Sequence, residues 1–94
     1  IMKGVMLMRA YEIFKTIEMI NSLNKNIRGK DLYSITFLST SGFKMYDCND
    51  YDSFVKIINK IYHDDITTKC FRKNNLSYQT TIGDDVIYLY IDEV

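Results

Sequence analysis

His63 is the chain's one histidine, and Asp64 and Asp65 follow it directly. An imidazole beside carboxylates can act as a general base or help to hold a metal ion. The spacing argues against both roles. Adjacent residues at a helix end point apart, and no second histidine, no close pair of cysteines and no helical His-Glu-His spacing supplies a ligand set. A basic residue closing a helix complements the negative end of the helix dipole, and His63 is assigned that role. A small hydrolase or toxin centred on His63 therefore ranks last of three functional classes.

Asp47, Asp50 and Asp52, then Asp84 and Asp85, invite a calcium or magnesium reading because hard cations prefer carboxylate oxygens. The calcium-loop pattern fails, since a twelve-residue window opened at Asp47 has Asp52 where glycine is needed and ends on Ile58 where a bidentate glutamate is needed. Helix capping accounts for Asp50 and Asp52, and turn propensity for Asp84 and Asp85. Cys48 and Cys70 lack the spacing of a redox or zinc pair and are expected to be free thiols. Gly4, Gly29, Gly42 and Gly83 are scattered, so no loop cradles a phosphate. No catalytic residue, metal site or cofactor is expected.

Two sets of residues could instead bind a macromolecule. Lys69, Arg72 and Lys73 flank Phe71 on one expected strand, with Tyr78 on the next, and basic side chains interleaved with aromatics on a sheet can hold phosphates and stack bases. Against that second class, a nucleic-acid-binding regulator, stands the balance of twelve Lys and Arg against twelve Asp and Glu. The balance is uneven along the chain. Residues 1–46 carry Lys3, Arg9, Lys15, Lys25, Arg28, Lys30 and Lys44 against Glu12, Glu18 and Asp31, whereas most of the carboxylates lie beyond Met45. Asp84, Asp85, Tyr88, Tyr90 and Asp92 combine charge for steering with tyrosines that supply contact area at low entropic cost. The leading class is thus a non-enzymatic protein-binding module whose acidic, tyrosine-bearing surface docks on a basic partner protein.

Positioning these residues requires the hydrophobic period to change twice from helical to alternating. Ala10, Ile13, Phe14, Ile17, Ile20 and Leu23 share one helical stripe from about Leu7 to Asn24, with the stop among Asn24, Asn26 and Gly29. Tyr33, Ile35 and Phe37 then alternate with polar residues, residues 39–42 turn, and Phe43 to Tyr46 alternate again as a hairpin. Asp50 caps a second helix whose apolar face is Phe54, Val55, Ile57, Ile58, Ile61 and Tyr62. Thr67 to Lys73, Leu76 to Ile82 and Val86 to Asp92 read as strands joined at Asn74-Asn75 and at residues 83–85. The expected fold is α+β in the order αββαββ(β), with an antiparallel sheet of four to five strands and both amphipathic helices on one face.

Ninety-four residues suit a single domain, with residues 1–6 as a flexible or added lead-in. At 47% hydrophobic and 26% charged, the chain has the composition of a folded protein and not of a disordered one. No run is long and apolar enough for a signal peptide or a membrane span, so a cytoplasmic location and no membrane partner are expected. Many Ile, Lys, Tyr and Asn residues without proline or tryptophan suggest an AT-rich genome, and small size adds the expectation of a phage or mobile-element inhibitor or adaptor. The strand from Val86 to Asp92 is the expected sheet edge, through which two copies could pair as a homodimer.

Overall fold

The computed structural model describes residues 7–94, and the expectation for residues 1–6 lies outside them. Helix α1 (Ala10–Arg28) turns Ala10, Ile13, Phe14, Ile17 and Asn21 inward. Glu12 caps its start by accepting from the Arg9 amide at 3.1 Å. Of the three residues among which the stop was expected, Asn24 remains within the helix and donates from its side chain to the Lys30 carbonyl at 2.9 Å. Gly29 is the stop, at φ 75° with its amide on the Lys25 carbonyl at 2.8 Å. Helix α2 (Tyr51–Tyr62) starts at Asp50, whose carboxylate accepts from the Ser53 amide at 2.8 Å.

Among the described residues, six strands, all antiparallel, form one sheet: β1 (Leu7–Arg9), β2 (Tyr33–Ser39), β3 (Lys44–Asp47), β4 (Cys70–Lys73), β5 (Tyr78–Ile82) and β6 (Asp85–Glu93). Their order across the sheet is β1-β4-β5-β6-β2-β3. The fold is α+β as expected, with one strand more than the largest count expected. The additional strand is β1, three residues that pair with β4 immediately before α1 begins and are too short to show a period of their own.

Three further expectations need correction. The last strand is not an edge: β6 lies between β5 and β2, because its alternating apolar residues are wanted at the centre of the core. Residues 66–68 form a short 3-10 turn capped by Asp65 rather than the start of a strand, leaving β4 only Cys70–Lys73. The following turn is closed by a 2.7 Å bond from the Asn74 amide to the Ser77 carbonyl, which puts Asn75 and Leu76 at its tip. Neither asparagine takes a positive φ.

Both helices cover the same face of the sheet, over Ile35, Phe37, Phe71, Ile82, Ile87 and Leu89. Phe54 of α2 sits among the other three buried phenylalanines, its ring centroid 4.9 Å from Phe14, 5.2 Å from Phe37 and 6.3 Å from Phe71. Phe54 and Ile58 are the buried residues of α2, while Ile61 lies at the margin, half-buried. The Tyr62 hydroxyl shares a hydrogen bond with the buried Ser39 hydroxyl, satisfying both at the rim of the core.

Candidate functional site

His63 occupies the C-cap of α2 at φ 54°, its amide bonded to the Asn59 carbonyl at 2.8 Å. Its carboxylate neighbours are occupied locally. Asp64 accepts from the Asp65 amide at 2.8 Å, and Asp65 accepts from both the hydroxyl and the amide of Thr67, which holds its carboxyl below the usual range. The Ser53 amide and hydroxyl act likewise on Asp50. Among the described residues, no three of His, Cys, Asp and Glu gather as a metal site would require.

The two cysteines are free thiols in different surroundings, Cys48 buried and Cys70 exposed on β4. Burial first, then the nearby Asp50 and Asp47 charges, push the Cys48 thiol up to about 12. The thiolate is the nucleophile, so Cys48 is both inaccessible and protonated near neutrality. Iodoacetamide at pH 8 should therefore add once to the native chain, at Cys70, and a second time only in denaturant. Intact-mass spectrometry follows the reaction, and two native adducts formed at similar rates would contradict the burial of Cys48.

The basic and aromatic set does not share one surface. Phe71 is 0% exposed, within the phenylalanine cluster, and cannot stack a base. Arg72 points to the opposite side of the sheet, as alternation along β4 requires. Lys73 and Tyr78 are paired in register, with the Lys73 ammonium 4.9 Å from the Tyr78 ring centroid, so this ring already has a cation on its face. Lys69 lies before β4, at the end of the 3-10 turn.

The acidic and tyrosine set is divided as well. Tyr88, Tyr90 and Asp92 share the helix-free face of β6, and the two tyrosine rings stack at 6.3 Å with an interplanar angle of 18°. Asp85 has the opposite parity, is paired with Ile82, and faces the helix side. Asp84 is in the turn before β6, roughly 26 Å along the strand from Asp92 at the rise of an extended chain. The five residues thus form no single patch.

The sheet supplies a carboxylate that sequence distance concealed. Thr36 is paired with both Asp47 and Tyr90, which sets Asp47 in the same cross-strand row as Tyr90 and about 12 Å from Asp92. The Thr36 hydroxyl donates to Asp47 at 3.4 Å. One row further along, Leu7, Arg72, Gln79, Tyr88, Leu38 and Met45 follow each other across all six strands. Neither helix covers this face. A shallow depression of about 370 Å³ lies on it, lined by Leu7, Cys70, Arg72, Gln79, Thr81 and Val86 among others. Arg9 and Arg72 make its β1-β4 side basic, while Asp47 and Asp92 make the opposite corner acidic.

Only the alternation within β6 signalled this face in the sequence, and Asp47 had no signal at all, because strand pairing brings it there. Comparison with protein-family models, with curated proteins and with solved structures finds no match to this chain. Among the described residues, no helix is long and apolar enough to cross a membrane.

Proposed function

We propose that this chain is a non-enzymatic protein-binding module, an inhibitor or adaptor, that docks on a basic partner through the acidic corner of its helix-free sheet face. The observation that carries the reading is the stacked Tyr88 and Tyr90 pair, flanked by Asp92 and Asp47 and continued by Leu38 and Met45. Half-buried aromatic anchors ringed by polar groups suit an interface core and rim. The two carboxylates would accelerate encounter with a basic surface, and the tyrosines would hold the complex once formed.

Affinity capture with the native chain and with a Tyr88→Ser/Tyr90→Ser variant tests this, using circular dichroism to verify that the variant is folded. A specific partner should be retained by the native chain and reduced about tenfold or more by the variant. With that partner immobilised, Asp47→Asn/Asp92→Asn should slow association and flatten its salt dependence. Equal retention by the tyrosine variant would place docking elsewhere. Retention of nucleic acid alone, abolished by nuclease, would replace this reading with the nucleic-acid one.

A further inference from the structure

Strand β6 is longer than the strand beside it. It runs to Glu93, but its pairing with β5 ends at Tyr78 opposite Leu89. On its other flank, β2 continues past Ile91 at Ile35 and past Glu93 at Tyr33. Ile35 turns its peptide groups away from β6: its amide donates to Asn49 Oδ1 at 3.0 Å and its carbonyl accepts from the Cys48 amide at 3.0 Å. The amide and carbonyl of Tyr33 are both taken by Asn21. Opposed residues in an antiparallel pair exchange both backbone bonds or neither. Ile91 and Glu93 therefore direct their N–H and C=O groups to the β5 side, where β5 has already given way to its turn. Among the described residues, no hydrogen-bond partner meets them there.

The bond closing the Asn74–Ser77 turn curls the hairpin tip away, leaving a cleft of about 480 Å³ between that tip and β6. Its wall on the helix side is mainly apolar, with Ile17 and Ile20 from α1 and Leu76 from the hairpin tip, and the one cation lining it among the described residues, Lys73, has its ammonium over the Tyr78 ring. Leu76 is 85% exposed, and Leu23 and Ile27 continue the apolar flank of α1 past Ile20 at helical spacing, both exposed. Open strand groups beneath an apolar wall specify an extended occupant, because a helix keeps its backbone groups for itself.

We infer that this notch is a strand-addition site for an extended segment of a partner protein, with an apolar side chain against Ile20 and Leu76 and a lysine or arginine beside Asp92. The inference rests on the reading of the chain as a protein-binding module but concerns a different surface from the tyrosine corner. Charge selects a partner segment over a second copy. Two-fold pairing through the same edge would oppose Asp92 and Glu93 of one copy to those of the other, whereas a basic segment complements them.

The test uses the full chain, labelled with nitrogen-15, and an acetylated, amidated heptapeptide of alternating valine and lysine. Ile91 and Glu93 amide resonances should shift on titration, and their hydrogen exchange should slow about tenfold or more as they gain partners. The same peptide N-methylated at alternate residues should have neither effect. Leu76→Asp, at an exposed tip position, should weaken binding about fivefold or more without altering the fold. Shifts confined to Tyr88, Leu38 and Met45 would overturn the notch yet leave the tyrosine-corner reading standing. No shift at millimolar peptide would overturn the notch alone, since the capture experiment judges the other reading. Protection of Ile91 and Glu93 that grows with protein concentration in the absence of peptide, alongside a sedimenting dimer, would give the notch to a second copy and overturn the inference.

Discussion

Replacing Phe54 with alanine should destabilise the fold by about 3–5 kcal/mol, the range for removing a buried aromatic ring and leaving a cavity behind. Phe54 is fully buried, and it joins α1 through Phe14, β2 through Phe37, and β4 through Phe71. Its loss would remove contacts from all three at once, and close-packed neighbours collapse only partly into such a void. Small domains hold only about 5–15 kcal/mol in total, so the variant would keep a reduced margin. Phe43→Ala is the matched control, because Phe43 is 80% exposed in the β2-β3 turn and its replacement should change stability by less than about 0.5 kcal/mol. Urea melts of both variants decide the matter. Equal midpoints would mean that Phe54 does not organise the core.

Much of that core was legible from period alone. The helical stripe of Ala10, Ile13, Phe14 and Ile17 and the alternation of Ile35 with Phe37 and Ile87 with Leu89 are all buried on the helix side. Such patterns are readable because burial selects residue type at each turn or every second residue. Strand order was not legible. The apolar run of β6 was compatible with an edge or a centre, and while β5 reaches one side of it through a tight turn, the neighbour that makes it central, β2, comes from a distant part of the chain. Phe71 failed as a candidate for the same reason, since a short strand flanked by charges does not reveal which of its faces meets the helices.

The candidate docking face shows the same boundary between local and distant information. Tyr88, Tyr90 and Asp92 could be grouped by parity, which is a property of one strand. Asp85 was included on proximity in sequence, although its odd position already placed it opposite the tyrosines. Asp47 required knowledge that β2 pairs on one side with β3 and on the other with β6. The notch beside Ile91 is still further from sequence, being the difference in length between two paired strands.

Asn21 ties that notch to the rest of the fold, and Asn21→Ala should cost about 2–4 kcal/mol, because each stranded backbone group carries a penalty of its own. The side chain is 7% exposed and makes three bonds: Oδ1 accepts from the Leu32 and Tyr33 amides at 2.9 and 2.8 Å, and Nδ2 donates to the Tyr33 carbonyl at 3.0 Å. It thereby acts as the missing neighbour for the start of β2. Asn21→Asp separates the contributions, since the carboxylate can still accept from both amides but sets an oxygen against the Tyr33 carbonyl where a donor stood. Asn24→Ala removes one solvent-exposed bond to Lys30 and should cost no more than about 1 kcal/mol. Chemical denaturation ranks the three, and hydrogen exchange locates the damage: Asn21→Ala should speed exchange at Leu32 and Tyr33 more than at Ile87 in mid-sheet. Because Tyr33 is paired with Glu93 and lines the cleft, loosening it should also blur the β6 edge that the peptide is proposed to meet. Equal stability of Asn21→Ala and Asn24→Ala would show that water replaces the side chain at no cost, and that the start of β2 holds its place without it.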